Sequence, residues 1–361
     1  MSKTINSLIP EDIRTLKPYV SARMLNKFDP ASTYLDANES PFRFPLTEID
    51  YSELQHYSDT SRNALEAAYA DYVELPRESV LATRGIDEGI DLITRAFCEP
   101  RQDRIMIFPP TFGGYQAAAA AHRCEVQSIP LTNEFALNFD EIERQAPPKV
   151  VFYCRPNNPT GHAFGREELL RLLEIVDGRS IVAVDEAYIE FAPEGSVLDL
   201  LPDHPNMAIL RTMSKAFGLA GIHTGFCVAA PELIRVLLQI LNPYPIPDPC
   251  ARLALNALSA EGLTLMRRNA AAIREIRDEF APALAQVEGC NRVCSSVTNF
   301  LLANFADAED VYEKLKAAGL FIRPLPEMFG QTGWLRFSIG AREDMARVLD
   351  VLGAPKDAFA R

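Results

Sequence analysis

The segment ILRTMSKAFGLAGIHTGF, residues 209–226, joins two predicted strands through a loop rich in hydroxyls and small residues. These strands are Ala208–Arg211 and Gly225–Ala229, and both are short apolar runs. Helical patterns alternate with further apolar runs upstream, where we predict strands at Arg104–Phe108, Val150–Cys154 and Ile181–Val184. Because several runs are continuously apolar rather than alternating, they indicate an α/β fold with helices on both faces of a mostly parallel sheet.

The prolines of NPYPIPDP, residues 242–249, mark a boundary in the chain, because proline fixes φ and lacks an N–H donor. We predict an irregular N-terminal arm at 1–45, a large domain at 46–249 and a smaller α+β domain at 250–361. Within the smaller domain, the pattern predicts a helix at about 262–287, a strand near Phe300–Asn304 and a helix at 308–318.

Composition and charge argue against several classes of protein. The net charge of −13 is unfavourable for a nucleic-acid-binding surface. The sequence has no run of 18 or more uncharged apolar residues and no apolar signal segment at its start, so we expect neither a membrane span nor export. Seven cysteines without a CxxC pair and five scattered histidines predict reduced thiols, a cytoplasmic location and no metal site.

Lys215 and Asp185 are the most informative pair of chemical groups in the sequence. Lys215 follows a predicted strand, and Asp185 ends the apolar run in VAVDEAY, residues 182–188. A lysine amine can form a Schiff base with an aldehyde cofactor, and a carboxylate can keep a pyridine nitrogen protonated. Together they suit pyridoxal 5′-phosphate (PLP). Each motif alone is common, since a carboxylate after an apolar strand is more often a structural strand end.

Two segments supply candidates for binding a phosphate group. Gly85 precedes a predicted helix, so the N–H groups of Ile86 and Asp87 can face an anion with help from the helix dipole. An ordinary capped helix start is the alternative. In the lysine-bearing segment, the hydroxyls of Thr212 and Ser214 can also donate to phosphate oxygens.

Further candidates suit a planar ring and an anionic substrate. Phe112 in FPPTFGGY can stack on a cofactor ring, although a core aromatic is the simpler interpretation. Asn158, held between prolines in RPNNPTG, and Tyr188 can donate to a ring oxygen. Arg323 and Arg336 lie on two short apolar strands, as edge residues or as forks for a carboxylate or phosphate.

As a set, these motifs resemble the histidinol-phosphate aminotransferase family, within the aminotransferases of PLP fold type I. The matching stretches follow the family's order through most of the chain and are PYVSAR, LDANESP, TRGIDEGIDLITRAFCEP, PPTFGGY, PNNPTG, VDEAYIEF, RTMSKAFGLAG, NPYPIP, IRPL and LRFSIG. The resemblance implies fold type I, with a large domain whose mostly parallel sheet lies between helices and a smaller α+β domain. It also implies PLP as cofactor.

Roles for individual residues follow from the same resemblance. Lys215 would hold the cofactor and shuttle the proton, Asp185 would pair with the pyridine nitrogen, and Asn158 and Tyr188 would bind the ring oxygen. The remaining cofactor contacts would come from Gly85, Ile86, Asp87, Phe112, Thr212, Ser214 and His223. Arg336 would bind the substrate α-carboxylate, and the rest of the substrate would contact Tyr19, Asn38 and Arg323. Tyr57 in HYSD would reach the cofactor of a neighbouring subunit, which implies a homodimer with shared active sites.

At two positions the charge of the side chain differs from the family pattern. His223 in GIHTGF stands where the family usually has an arginine that binds the cofactor phosphate. Arg155, before PNNPTG, replaces a small or uncharged residue. We predict that His223 weakens the phosphate anchor and that Arg155 partly offsets this loss or binds a substrate group. Neutral drift, absorbed by the remaining phosphate donors, is the alternative.

The sequence therefore predicts a PLP-dependent aminotransferase that works by ping-pong chemistry. Lys215 would act first as nucleophile and then as general acid and base. The resemblance favours L-histidinol phosphate and its keto product as one substrate pair, with glutamate and 2-oxoglutarate as the other. Two alternatives stay open: a related enzyme that transaminates another amino acid or decarboxylates an amino-acid phosphate, and a PLP-binding protein without turnover.

Overall fold

The computed structural model describes residues 8–16, 19–25, 29–45, 57, 59–355 and 358–359. Its strands form a larger and a smaller β-sheet. In chain order the strands are β1 (Thr33–Leu35), β2 (Val80–Thr83), β3 (Arg104–Ile107), β4 (Glu125–Ser128), β5 (Val150–Cys154), β6 (Ile181–Asp185), β7 (Met207–Thr212), β8 (Gly225–Ala229), β9 (Cys290–Val293), β10 (Phe300–Phe305), β11 (Leu320–Pro324) and β12 (Trp334–Ser338).

The larger sheet has the strand order β2-β8-β7-β6-β5-β3-β4. Strands β3 to β7 pair in parallel, whereas β8 runs antiparallel to both of its neighbours, β2 and β7. Every residue of β5, β7 and β8 is buried. Successive side chains of a strand point to opposite faces, so both faces of the sheet are covered. The predicted α/β fold with a mostly parallel sheet is confirmed.

Helices pack around the two sheets. Their bounds are α1 (Glu11–Arg14), α2 (Ala22–Leu25), α3 (Asp59–Val73), α4 (Gly85–Phe97), α5 (Gly114–His122), α6 (Phe139–Arg144), α7 (Arg166–Val176), α8 (Pro231–Leu238), α9 (Asp248–Ala257), α10 (Ala260–Leu284), α11 (Ala308–Ala317) and α12 (Arg342–Leu352). Helix α4 packs against β7 and β8 and buries Ile86, Ile90 and Ile93. Among the described residues, no helix is both long enough and apolar enough to cross a membrane.

The smaller sheet has the strand order β1-β11-β12-β10-β9. Strands β9 to β12 pair in antiparallel fashion, and β1 joins β11 in parallel. The stretch predicted as an irregular arm therefore supplies a strand to a sheet built mainly from residues 290–338. A three-residue strand carries too little alternation to be recognised from sequence. The division of the chain into domains stays a prediction.

Other differences from the predicted elements have local causes. Strand β4, EVQS, lies at the edge of the larger sheet and buries none of its residues fully, so it has no apolar run. Helix α9 begins at Asp248, inside the segment predicted as a linker, with Pro249 at its second position. Proline is tolerated there because the first N–H groups of a helix have no intrahelical partner.

Candidate active site

Strand ends of the larger sheet bring the predicted site residues to one edge. Strands β5, β6 and β7 are parallel, so Asn158, Asp185 and Lys215, which end or follow them, meet at their carboxyl edge. Strand β2 runs in the same direction, because β8 is antiparallel to both β2 and β7. The start of α4 therefore lies at this edge too.

A cleft of about 490 Å³ opens at this edge, within the size range of small-molecule sites. Its walls also include residues 36–39, which follow β1, and residues of β11 and β12. The predicted site residues that line it are Tyr19, Asn38, Gly85, Ile86, Asp87, Phe112, Asn158, Asp185, Tyr188, Thr212, Ser214, Lys215, His223, Arg323 and Arg336.

Asp185 is a buried carboxyl group held by neutral donors. The hydroxyl of Tyr115 donates to its Oδ2 over 2.5 Å, and the backbone N–H of Ala187 donates to its Oδ1 over 3.0 Å. Burial raises the pKa of Asp185 to about 6, although these two hydrogen bonds act in the opposite direction. Each oxygen keeps a free lone pair, so the group can accept a hydrogen bond from a protonated ring nitrogen.

Lys215 reaches across the cleft to the segment after β1. Its Nζ donates to the carbonyl oxygen of Ala37 over 2.8 Å and lies 6.0 Å from the ring centre of Tyr188. Burial, together with the nearby guanidinium of Arg336, lowers the pKa of Lys215 to about 8. The neutral, nucleophilic form is therefore far more accessible near neutral pH than for an exposed lysine.

Hydrogen bonds between buried residues link the two sheets beside the lysine. Nη1 of Arg336 donates to Oδ1 of Asn158 over 2.6 Å, and its Nη2 donates to the carbonyl oxygen of Asp36 over 2.8 Å. Nδ2 of Asn38 donates to the Tyr188 hydroxyl over 3.0 Å. Because Asn158 accepts through its oxygen, its amide N–H groups stay available to a ligand oxygen.

The start of α4 forms one end of the cleft. Gly85 has φ +66°, a left-handed conformation that favours glycine, and a Cβ there would lie 2.8 Å from the His223 ring. Within the described residues, no side chain caps the helix, which leaves its first N–H groups for an anion. Thr212 and Ser214 lie at the same end and share a hydroxyl hydrogen bond of 3.0 Å.

His223, which stands where the family usually has an arginine, lies at this end of the cleft. Its Nε2 lies 3.9 Å from Oδ2 of Asp87, and both side chains are more than half exposed, at 58% and 62%. Its ring lies next to Gly85. A histidine here supplies at most one ring N–H toward a phosphate, where an arginine supplies a fork.

Aromatic and cationic side chains form the outer part of the cleft. The rings of Tyr19 and Phe112 meet edge to face, with centroids 6.2 Å apart. Nη2 of Arg323 donates to the carbonyl oxygen of Val20 over 3.1 Å. Among the described residues, neither Nη1 of Arg323 nor Nε of Arg336 has a hydrogen-bond partner, although both atoms are buried.

Two predicted site residues lie outside this cleft. Arg155 is buried elsewhere, where its Nε donates to the carbonyl oxygen of Phe164 over 2.9 Å and its Nη1 to that of Gly195. The prediction that Arg155 replaces a phosphate-binding arginine or contacts substrate is therefore wrong. Cys154 lines the cleft, and the next residue of an extended chain points the opposite way. Tyr57 is 81% exposed and stacks on Tyr244, with centroids 4.3 Å apart.

Several groups in or behind the cleft were not identified from the sequence. Tyr115 hydrogen-bonds to Asp185, Ser338 donates to Oδ1 of Asn38 over 3.0 Å, and the backbone of residues 36–37 holds Lys215 and Arg336. The partners in these contacts are 70 to 300 residues apart in the sequence. Tyr115, the single tyrosine of FPPTFGGY, lies in a stretch that the sequence had already indicated as part of the site.

Comparisons with known proteins agree with this geometry. A sequence model of the class I and II aminotransferases matches residues 32–352. A histidinol-phosphate aminotransferase from Vibrio cholerae is 40% identical over 346 residues, which are 96% of this chain and 98% of that protein. A bifunctional histidine-biosynthesis protein from Photorhabdus laumondii is also 40% identical, over 97% of this chain, and the chain spans 43% of its length.

A solved structure supports the fold. The histidinol-phosphate aminotransferase from Sinorhizobium meliloti in complex with pyridoxal-5′-phosphate superimposes with a TM-score of 0.82 at 21% identity, covering 96% of this chain and 98% of that one. The chain belongs to the class I and II aminotransferases. The predicted fold type, the aminotransferase class and the PLP cofactor are confirmed.

Proposed function

We propose that the chain is a histidinol-phosphate:2-oxoglutarate aminotransferase of histidine biosynthesis. The guanidinium groups of Arg323 and Arg336 carry this proposal. Both line the cleft that contains Lys215, and each has a buried N–H atom without a hydrogen-bond partner among the described residues. Histidinol phosphate bears a phosphate ester and no carboxylate, whereas glutamate bears two carboxylates. Guanidinium forks bind both kinds of anion.

The residues of the cleft fit PLP. Asp185 would hold the ring nitrogen, because its two donors are neutral and leave room for a cationic partner. Asn158 and Tyr188 would bind the ring oxygen, and the start of α4 with Thr212 and Ser214 would bind the phosphate. When bound, PLP supplies an electron sink for the electron pair released at the substrate Cα.

The protein's own groups would then position the substrate and move its proton. Nζ of Lys215 would carry the proton to and from the substrate Cα, and its pKa of about 8 makes both protonation states accessible near neutral pH. Arg336 would hold the anion next to that carbon, and Asn158 would fix the guanidinium through the 2.6 Å hydrogen bond. Arg323, Tyr19 and Asn38 would bind the remainder of the substrate.

A homodimer with shared active sites is part of the proposal. Tyr57 lies outside the cleft of its own subunit and is largely exposed, and Leu238 and Tyr244 are partly exposed. An apolar surface of this kind is typical of an interface. We also propose a cytoplasmic location, in keeping with the seven free cysteines.

The decisive assay compares substrates on one preparation of the PLP-loaded protein. Incubated with L-histidinol phosphate and 2-oxoglutarate, it should form glutamate with a higher kcat/KM than with phenylalanine, tyrosine or O-phosphothreonine as donor. Arg323→Ala should lower kcat/KM for histidinol phosphate by about tenfold to a hundredfold, because a charge-assisted hydrogen bond is lost. Equilibrium sedimentation of the same sample tests the dimer.

Other outcomes would select the alternatives. A higher kcat/KM with phenylalanine or tyrosine would overturn the substrate assignment in favour of an aromatic aminotransferase. Release of CO₂ from O-phosphothreonine without glutamate formation would identify a decarboxylase. A cofactor absorbance that no amino donor changes would indicate a PLP-binding protein without turnover.

A further inference from the structure

Tyr115 lies behind the cleft, in the first turn of α5, and is fully buried. Its ring stacks on Phe152 with centroids 4.9 Å apart and planes at 4°. It also meets the edge of Phe112, with centroids 5.5 Å apart. This packing fixes the direction of the hydroxyl, which donates to Oδ2 of Asp185 over 2.5 Å. None of the roles given above to cleft residues accounts for this contact.

The hydroxyl meets a carboxylate that has few other donors. Oδ1 of Asp185 accepts from the N–H of Ala187, so each oxygen has one neutral donor. Without water around it, a carboxylate depends on such donors to remain ionised. Burial raises the pKa of Asp185, and the Tyr115 hydrogen bond is the largest of the influences that lower it. The hydroxyl therefore opposes protonation of the group that must be anionic.

We propose that Tyr115 is a positioning residue that keeps the Asp185 carboxylate ionised and oriented toward the ring nitrogen of the cofactor. It does so through a single hydrogen bond and without touching the substrate. This inference rests on the PLP site of the proposed function and not on its substrate, so it can be tested on the cofactor-loaded protein alone.

A matched pair of tyrosines in the fold allows a clean test. Tyr115→Phe removes the hydroxyl and keeps the stacked ring. Tyr153→Phe makes the same chemical change in another fully buried tyrosine on β5, whose hydroxyl has no hydrogen-bond partner among the described residues. Both variants should fold, because each loses one atom and no packing contact of its ring.

The expected result is specific to Tyr115→Phe. Its PLP dissociation constant should rise about tenfold to a hundredfold, the value of one hydrogen bond to a charged group. Loss of the donor raises the pKa of Asp185, so the ring nitrogen loses its proton more readily. The neutral ring then withdraws less electron density. The pH at which the visible absorbance of the bound cofactor changes should then move upward. Tyr153→Phe should change the PLP dissociation constant by less than about twofold and should not move the pH of the absorbance change.

A double-mutant cycle separates positioning from packing. If Tyr115 acts through Asp185, the change Tyr115→Phe should have almost no further effect on PLP affinity in an Asp185→Asn background. Equal effects in both backgrounds would overturn the proposal, as would a Tyr115→Phe protein of lower melting temperature whose absorbance midpoint stays where it is. Failure to transaminate histidinol phosphate would refute the proposed substrate and leave these measurements intact.

Discussion

Replacement of Asp185 by asparagine should stabilise the cofactor-free protein while it destroys activity. Burial raises the pKa of this carboxyl from an ordinary value of 3.8 to about 6. The folded state therefore binds the Asp185 proton more tightly than the unfolded state does. A group of this kind destabilises the fold fully above pH 6, and the cost disappears as the pH falls through 6 toward 3.8.

The magnitude follows from the same two values. One pKa unit corresponds to about 1.36 kcal/mol, so the difference between 3.8 and about 6 corresponds to about 3 kcal/mol at pH 8. At pH 5 the folded-state carboxyl is mostly protonated, and only about half of this cost remains. At about 2.1 cal/mol/K per residue, the 361 residues convert 3 kcal/mol into about 4 °C of melting temperature.

Asparagine suits the site as a neutral replacement. Its oxygen can still accept from the Ala187 N–H, and its amide can donate to the Tyr115 oxygen. Calorimetry of the cofactor-free variant and parent at pH 8 and pH 5 measures the effect. Asp71→Asn, at an exposed position of α3, is the control and should change stability by less than about 0.5 kcal/mol.

Two results would refute the reasoning. One is an Asp185→Asn protein that melts at or below the parent temperature at pH 8. The other is a gain that does not shrink between pH 8 and pH 5, since that gain would not come from an ionised carboxylate. Addition of PLP should reverse the order, because the parent gains the stabilisation of a tightly bound ligand and the variant does not.

Three further substitutions test the site. Lys215→Ala should abolish the borohydride-reducible cofactor adduct and lower transamination by at least about 10⁴-fold, and retained turnover would exclude its role. His223→Arg should tighten PLP binding about threefold to tenfold in a fluorescence titration, a modest gain because the position is exposed; no gain would favour neutral drift. Arg155→Ala should change PLP affinity by less than about twofold. It should lower the free energy of unfolding by about 2–4 kcal/mol in thermal unfolding, because two hydrogen bonds to buried carbonyl groups are lost. Weaker PLP binding by a variant that is fully folded would show that Arg155 contributes to the cofactor site.

Several cleft residues could be predicted from the sequence because they directly follow parallel strands. Parallel strands place the residues that follow them at one edge, so Asn158, Asp185 and Lys215 could be assigned to one site from local motifs alone. The glycine at position 85 could be selected from a local pattern as well, because it directly precedes a helical pattern of apolar residues.

Contacts between distant segments were not predictable, because no local pattern records them. The carbonyl of Ala37 accepts from Lys215, 178 residues away, and that of Asp36 accepts from Arg336, 300 residues away. The prediction for Arg155 was wrong because it relied on a local motif alone. The place of Arg155 beside PNNPTG suggested the cofactor pocket, yet side-chain direction reverses at each residue of an extended strand.

The buried charges of this cleft predict that ligand binding stabilises the fold. Burial lowers the pKa of Lys215 to about 8 and raises that of Asp185 to about 6. Burial also lowers the pKa of Arg336, and Arg323 adds to the effect. Each charged form is therefore costly in the empty cleft and is relieved by a partner of opposite charge. A cofactor with a cationic ring nitrogen would be the partner of Asp185, and a substrate anion would be the partner of Arg336. Binding should therefore stabilise the fold most at the pH where Asp185 and Arg336 are both ionised.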